Sequence, residues 1–564
     1  MIPQLLSPVG SLSNLKAAIA GGADAVYLGM NKFNAREFAT NFNKDYLEQA
    51  VKLCKSNNVN LYLTMNTLVK NSEIKDYLNQ LKYAYKKGVD AVIIQDPSFI
   101  KIIKQNFPEL KIHISTQAGI LNSNHANLFS NIESINLARE LDKENIKSIR
   151  KNYKNNIEIF VHGALCACIS GSCLFSSLLG QRSGNRGKCA QPCRKLYNKA
   201  FLLSPKELCL IDKLPDIINL KINTLKIEGR MRTPYYAYIT TSVYRKAIDS
   251  FYNNNFQITP QMRKDLTSAF SREFTEGGFS KKYIFNLKKA SGTSRIKKVF
   301  YKVKEKPIKI QKRKTANNPI IIKSKKSSGK QLIVRVYNKK DALIAENYAD
   351  IICADLDICK SIKNIITKPL YIITPRIMLD QDIEKIKTQI LSIKPKGIVA
   401  GNLGILKMNL NLPIILDYNS NCFNDLQLSY YQSLKAKPIM SPELSIKELQ
   451  EFKNKDFIVF IHGKIRLMTL AHNIPEKTII DEKNFNFYIK KIHNGSEVLN
   501  EKELGLFNKI RPLIKSGINQ IYIDTDQNLQ QILPIYRQIL DGKTIDVSKL
   551  QKNYILGWSK ASVL

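Results

Sequence analysis

Short apolar runs recur along the first part of the chain, and amphipathic stretches separate them. DAVYLGM, NLYLTMNTL, DAVIIQD, KIHISTQ, SINLARE, IEIFVHG and TLKIEGR are rich in Val, Ile, Leu and Tyr. Runs of that length, bounded by polar turns, predict buried strands. Between them, LSNLKAAIAGG and KDYLEQAVKLCKSNN carry apolar residues at helical spacing. The alternation predicts βα repetition and a parallel sheet, and seven or eight units in about 230 residues fit a TIM-like (β/α) barrel. No G-x-G-x-x-G follows the first strand, so a dinucleotide-binding fold has no support.

The later part repeats the series. IFVHG at 159–163 returns as VFIHG at 459–463, and ARELDKENI from Ala138 as SPELSIKEL from Ser441. KELCLIDKL from Lys206 returns as KELGLFNKI from Lys502, and INTLKIE from Ile222 as INQIYID from Ile518. LYLTMNTL from Leu61 faces LYIITPRI from Leu370. These matches keep one order at offsets of roughly 300 residues, which predicts an ancient duplication. The expected organisation is a barrel over 1–260, a small basic β-rich domain over 261–330, a second, divergent barrel-like α/β half over 331–545, and a C-terminal tail over 546–564.

Charge adds a class of partner. The net charge is +40, with 87 Lys and Arg against 47 Asp and Glu, and a field of that sign gathers polyanions such as RNA. A solvated surface in a Lys-rich chain gives the same count. From Arg295 to Lys330 there are fourteen Lys or Arg and one acid, Glu305. That run alternates with β-formers, as in KKVFYKVKEKPIKI, and predicts strands with a basic face. The start, MIPQLLSPVG, lacks a basic n-region and a long apolar run, and no apolar stretch reaches spanning length. A cytoplasmic protein with no membrane partner is expected.

In a reducing compartment, clustered thiols point to metal binding or catalysis before disulfides. Half of the ten cysteines lie in HGALCACISGSC and KCAQPC. Cys166, Cys173, Cys189 and Cys193 have the spacing C-x6-C-x15-C-x3-C. Cys166 follows the run IEIFVHG, at the C-terminal end of a strand, where parallel barrels place their active sites. Four thiolates suit Zn²⁺ or a 4Fe–4S cluster, and the glycine-rich spread favours the cluster over zinc knuckles. Nearby Arg182, Arg186, Lys188 and Arg194 favour thiolates. A catalytic thiol is a further option, with Cys168 and Cys209 as alternates. Cys54, Cys353, Cys359 and Cys422 are expected as buried small hydrophobes. The second copy has GKIRLMTLAHN after His462 and Gly505 opposite Cys209, so the thiols belong to local chemistry rather than to the shared fold.

IEIFVHGALCACISGSC, RSGNRGKCAQPCR and LLSPKELCLIDKL resemble the peptidase U32 family, as do LLSPVGSLSNLKAAIAGGADAVYLG, TLKIEGRMRTPYYA and SREFTEGGFS. The resemblance covers the first half densely and, through GNLGILKMN and the SPEL segment, the second more loosely. It implies an oxygen-independent hydroxylase more than a protease. Some members hydroxylate a base in transfer RNA or large-subunit ribosomal RNA, with prephenate implicated as hydroxyl source. Others act as small pairs in ubiquinone synthesis. The long duplicated form resembles the ribosomal RNA branch. The family's cluster ligands map by motif onto Cys166, Cys173, Cys189 and Cys193. One departure is LMTLAHNI, where long relatives often carry a cysteine after the histidine.

Other polar candidates gather at strand ends. His162 is a candidate general acid or base, or a structural hydrogen-bonding residue shared with His462. Arg139 and Glu140 end SINLARE, and Lys226, Glu228 and Arg230 end LKIEGR. Arg182, Arg186 and Arg230 suit a dicarboxylate or a phosphate through forked hydrogen bonds, or ion pairs at the barrel rim. Gln117 and Asn66 are candidates for lining the pocket. Three functions compete: a cluster-dependent RNA hydroxylase, a U32-type peptidase using Cys166 and His162 or a metal, and a non-catalytic RNA-binding protein with a structural metal. The chain carries no H-E-x-x-H and no G-x-S-x-G. The electron donor is not specified by any motif.

Overall fold

The computed structural model describes residues 2–281, 299, 301–308, 310–311, 313–316, 318–561 and 563–564. The chain divides into two units: Met1–Gly171 with Gly184–Pro319, and Ser172–Ser183 with Ile320–Leu564. Among the described residues no helix is long and apolar enough to cross a membrane.

In the first unit the apolar runs become strands β1 (Gln4–Pro8), β2 (Ala25–Gly29), β3 (Asn60–Met65), β4 (Ala91–Ile94), β5 (Lys111–Ile114), β6 (Ser134–Asn136) and β7 (Asn156–Gly163). β8 (Glu207–Cys209), β9 (Thr224–Ile227) and β10 (Phe274–Thr275) follow. β1 to β7 pair in sequence order, and β9 closes the ring between β7 and β1, all parallel. The result is the expected eight-stranded TIM-like barrel. β8 runs antiparallel on the end of β7, with His162 opposite Cys209, and β10 extends it. The amphipathic segments form the outer helices. Asn43 caps Lys44–Ser56 through Tyr46 N, and Thr233 caps Pro234–Tyr252 with proline at the first turn, as helix starts favour.

The barrel interior is apolar at Leu6, Ala25, Ala91 and Ile93, but it also holds charge. Glu158 on β7 pairs through one oxygen with His113 Nδ1 and through the other with Lys226 Nζ at 3.2 Å. Asn136 Nδ2 donates to the same carboxylate at 3.3 Å. Burial pushes the Glu158 carboxyl up, but Lys226 and His113 outweigh it and hold the pKa at about 2. Such a layer is stable only with every partner present.

Outside the barrel axis His125 is buried, with both ring nitrogens lacking a hydrogen-bond partner, beside Phe129 at 5.8 Å. Burial lowers its pKa from 6.5 to about 4. The unfolded chain then takes the proton first, so stability is full above pH 6.5 and falls as pH drops toward 4. Each unit of that window is worth up to about 1.4 kcal/mol. His125→Leu therefore narrows the gap between melting temperatures at pH 7 and pH 5, as read by thermal denaturation. An unchanged gap refutes this assignment.

The second unit repeats the plan. Strands β11 (Gln331–Arg335), β12 (Ile351–Asp355), β13 (Leu370–Ile373), β14 (Gly397–Ala400), β15 (Ile414–Leu416), β16 (Ala436–Pro438) and β17 (Val459–Gly463) are parallel neighbours in the order β16-β15-β14-β13-β12-β11-β23-β17, with β23 at Gln520–Asp524. The sheet curls, and one parallel bridge, Ile439 to Ile458, joins its ends. β22 (Leu504–Gly505) lies antiparallel on β17 with Gly505 opposite His462, as β8 lies on β7. Both copies carry a bulge before the histidine, at Phe460/His462 and Phe160/His162. Each bulge ends in a glycine of positive φ, Gly163 at +103° and Gly463 at +129°. A Cβ there would stand 2.4 Å from Glu228 O or 1.9 Å from Asp524 O. The duplicated motif is thus a shared backbone device that brings β9 and β23 close.

The second unit also holds a four-stranded antiparallel sheet that the repeat comparison did not anticipate. It comprises β18 (Arg466–Leu470), β19 (Thr478–Ile480), β20 (Asn486–Ile492) and β21 (Gly495–Asn500) in the order β18-β21-β20-β19. LMTLAHNI is therefore β18 and the turn after it. The chain end includes the helix Ser548–Gln551 and the buried Trp558.

The small basic domain expected over 261–330 lies in part outside the described residues, at 282–298, 300, 309, 312 and 317. Its described beginning is the helix Pro260–Ala269 and β10. From Tyr301 the described residues run along the outer helices of the first unit. Lys304 N donates to Asn57 Oδ1 at 3.0 Å, Ser56 Oγ to Lys306 O at 3.1 Å, and Asn318 N to Asn106 Oδ1 at 2.8 Å. Lys302, Lys304, Lys306 and Lys314 are exposed.

Candidate active site

Loops after β2, β3, β6, β7 and β9 meet at the C-terminal mouth of the first barrel, and arginines dominate them. Glu228, one residue beyond β9, is buried and accepts from Arg36 Nε at 3.1 Å, with Arg36 Nη2 at 3.0 Å. Its other oxygen faces Arg139 Nη2 at 3.8 Å and accepts from Tyr27 OH at 3.4 Å. Burial raises the Glu228 carboxyl, yet Arg36, Arg139 and Arg230 together keep its pKa below the ordinary carboxylate value. Three guanidiniums thus surround one carboxylate, leaving a surplus of positive charge in a dry site, where such charge is strongest.

Arg230 is buried without a carboxylate at hydrogen-bond distance. Its Nη1 donates to Asn34 Oδ1 at 3.0 Å and Thr64 Oγ1 at 3.2 Å, its Nη2 donates to Asn41 Oδ1, and its Nε has no partner. Burial lowers its pKa to about 10, which Tyr27 and Glu228 counter only in part. Gly29 makes room for it: a Cβ there would stand 2.4 Å from Arg230 Nη2 and 2.8 Å from Asn34 Cγ. Gly29→Ala is expected to displace the guanidinium and cost about 1–3 kcal/mol, measured by urea denaturation. A cost near zero means that the loop yields.

The cysteine loops dock onto this cluster. Arg139 Nη1 donates to Ala164 O at 2.8 Å and its guanidinium lies 4.0 Å from the Phe160 ring centre. Arg194 Nη2 donates to Leu165 O at 3.0 Å. These bonds fix the chain entering Cys166, which is exposed. The loop before Cys189 is held by Arg186, whose guanidinium donates to both oxygens of Glu73 at 2.9 and 2.7 Å and to Leu68 O at 3.0 Å. Lys188 pairs with Glu37 at 3.6 Å. Cys189 accepts from Gln191 N at 3.3 Å. Arg36 joins the two loops electrostatically: Glu228 first, then the Cys166 and Cys189 thiols, raise its pKa against the opposing effect of burial. Cys193 sits in the turn Pro192–Arg194.

The candidate residues therefore separate. Glu228 binds Arg36, Arg230 is held by Asn34, Thr64 and Asn41, and Arg186 anchors a loop through Glu73. Cys173 and Arg182 lie in Ser172–Ser183, which belongs to the second unit. His162 is buried among Tyr236, Tyr244 and Phe274, with Tyr244 OH 3.4 Å from Nδ1. Burial and Arg232 lower its pKa to about 3, so it stays neutral. His462 repeats the arrangement, with Tyr536 OH 2.9 Å from Nδ1, which marks the pair as part of the shared fold. Cys209 is also packed away: burial raises its thiol to about 11, and Tyr244 OH lies 3.9 Å from it.

Sequence reasoning left out Arg36 and Tyr27 and gave Arg139 no role. Arg36 is the centre of the cluster, yet it sits in NKFNAREFAT, a loop with no cysteine or repeat to draw attention. At Glu140, next to Arg139, burial raises the carboxyl to about 7.

Among the described residues no three His, Cys, Asp or Glu side chains are gathered closely enough to hold a metal ion. The donor chemistry still suits a thiolate-bound centre, because Cys166 is exposed and Cys189 half-buried, and sulfur ligands suit zinc or an iron–sulfur cluster.

The Peptidase family U32 profile matches residues 10–291. A Methanocaldococcus jannaschii protein named as an uncharacterized protease is 36% identical over 322 residues, covering 52% of this chain and 78% of the relative. The Bacillus subtilis tRNA hydroxylation protein P1 is 32% identical, covering 48% of this chain and 69% of the relative. The Escherichia coli 23S rRNA 5-hydroxycytidine C2501 synthase is 34% identical, covering 44% of this chain and 39% of the relative. With its TIM-like barrel, its cysteine-bearing loops and these matches, the chain belongs to peptidase family U32.

Proposed function

We propose that this protein is an iron–sulfur-dependent, oxygen-independent hydroxylase of a base in RNA, ribosomal RNA before transfer RNA. The observation that carries the reading is the arginine cluster at the barrel mouth, with Arg36 bound to Glu228 and Arg139 bound to the loop that leads to Cys166, in a chain with relatives named for tRNA and rRNA hydroxylation. The duplicated form favours ribosomal RNA by family resemblance. The protein acts in the cytoplasm, where RNA and reduced thiols coexist.

The 4Fe–4S cluster is assigned to Cys166, Cys173, Cys189 and Cys193, and zinc is the alternative. Bound there, a cluster supplies electron transfer. The chain's own residues do the rest. Exposed lysines between 302 and 314 hold phosphates without reading sequence. A single-stranded or extruded base enters the mouth. Arg36, Arg139 and Arg230 fix an anionic co-substrate, with prephenate as the possible hydroxyl source, and Glu228 holds those guanidiniums in place. Glu140 can give or take a proton near neutral pH.

The test joins two measurements. Protein purified without air should contain iron and acid-labile sulfide, and Cys189→Ser should lose most of both. RNA from cells lacking the protein should lose one base oxygen, which the wild type but not Cys189→Ser restores, as read by nucleoside mass spectrometry. Stoichiometric zinc without sulfide removes the cluster, and an unchanged nucleoside profile removes the hydroxylase.

The name of the archaeal relative favours a peptidase as the second reading. His162, neutral and enclosed by aromatic rings, is poorly suited to activate Cys166.

A further inference from the structure

The second barrel copy lacks the thiols but keeps a carboxylate where the first has Glu228. By the repeat INTLKIE/INQIYID that residue is Asp524, and it is buried. Arg335 Nη1 lies 3.4 Å from it, Arg466 pairs with it, and Tyr337 OH donates to it at 2.5 Å. Asp524 is held well below the usual carboxylate range because Arg466 and Arg335 outweigh its burial. The arginines come from other elements than in the first barrel, so the centre has been rebuilt rather than merely inherited.

A cavity of about 500 Å³ opens beside it, a volume typical of small-molecule sites. Its floor is apolar, with Ile373, Ile386 and Ile492. Four of its acids have basic partners. Asp355 takes both bonds from Arg335 Nη2 at 2.9 Å, Asp417 pairs with Arg376 at 2.8 Å, Glu497 with Arg466 at 3.3 Å, and Asp382 with His493 at 3.0 Å. Lys490 is the exception. Its Nζ lies 4.5 Å from the centre of the Tyr337 ring, and among the described residues no carboxylate stands within ion-pair distance. Burial, then Arg335 and Arg466, lower its pKa, and the more distant Asp524 and Asp355 offset this only in part. Lys385 and Lys491 also line the cavity. Among the described residues Arg335 Nε has no hydrogen-bond partner, although its side chain is more than nine-tenths buried.

We propose that the mouth of the second barrel binds a small organic oxyanion, a carboxylate or phosphate monoester with an apolar body, with its charged end at Lys490 and its body on Ile373, Ile386 and Ile492. An anion placed there relieves the repulsion among Lys490, Arg335 and Arg466, and low local dielectric makes that relief large. The site uses no residue of the first barrel and does not depend on the RNA reading.

Calorimetric titration of the full chain tests this with phenyl phosphate, benzoate and the neutral benzyl alcohol. At least one of the two anions should bind saturably, and which one binds tells phosphate from carboxylate. Benzyl alcohol should not bind. Lys490→Met should weaken the anion at least tenfold while melting at the wild-type temperature or above, since a repelled charge has been removed. Lys490→Arg should retain binding. Lys147→Met, an exposed residue of the first unit, should leave the titration unchanged. Binding that survives Lys490→Met overturns the assignment, as does the absence of binding by both anions.

Discussion

Glu228→Gln is expected to abolish base hydroxylation while the chain still folds. Glutamine keeps the shape and its one carbonyl oxygen can still accept from Arg36, while its amide nitrogen takes the place of the oxygen that faces Tyr27. It removes the single negative charge among Arg36, Arg139 and Arg230. Those guanidiniums then repel one another in a buried site, and a co-substrate anion meets them in the wrong place. Losing one preorganised charged group of this kind costs about 100-fold or more in rate. Full removal in Glu228→Ala should also destabilise the fold by about 3–5 kcal/mol, as for other buried pairs stripped of one partner. Adding Arg36→Gln to Glu228→Gln relieves the charge, so it should restore stability and not activity. Nucleoside mass spectrometry gives the first quantity and urea denaturation the second. A Glu228→Gln protein with wild-type turnover would remove the cluster from the mechanism.

Glu158→Ala should be the most damaging single change to the first barrel. It strands Lys226 and His113 inside the ring of strands, where neither reaches water. The expected loss is about 3–5 kcal/mol, a large part of the stability of an ordinary domain. The pH dependence has a definite sign. The Glu158 pKa is about 2 in the native state against 4.5 for the free side chain, so its contribution is complete above pH 4.5. It fades as pH falls toward 2, because the unfolded chain takes up the proton first. A wild-type acid melt should therefore steepen below pH 4.5, and Glu158→Gln should flatten that limb. Equal acid limbs in the two proteins would show that the carboxyl is not held down by its neighbours.

The architecture was legible because its signals are local. Strand-length apolar runs predict the barrel, and matching runs some 300 residues apart predict its second copy. The register bears this out down to the bulge before His162 and His462. The hairpin of β20 and β21 turns at His493 and Asn494, with Asn494 at positive φ and Gly495 already paired with Ile492; it lies in β18–β21, a sheet that the matching runs do not include.

The site was less legible because charge pairing is not local. Arg36 and Glu228 lie 192 residues apart in sequence, and His113 and Glu158 are 45 apart. No spacing rule joins such residues; only closure of the barrel does. His162 misled in the opposite direction. Its place before the cysteine loop suggested chemistry, but Tyr244, on the long helix Pro234–Tyr252, encloses it. The spacing of the cysteines drew the eye to their loops, whereas nothing in NKFNAREFAT pointed to Arg36.

After Gly171 the backbone leaves the first unit for twelve residues and returns at Gly184. Within that excursion Leu174 N donates to Leu467 O at 2.8 Å, Ser177 O accepts from Trp558 Nε1 at 3.1 Å, and Leu564 N donates to Gln181 O at 2.9 Å. The segment that carries Cys173 is thus clasped by the extreme carboxyl end. Cutting the gene near residue 320 would not release a self-sufficient front half: the excised fragment would keep a strap whose buckle had been thrown away. Even a short trim at the far terminus should loosen the stretch between Gly171 and Gly184, almost four hundred positions upstream.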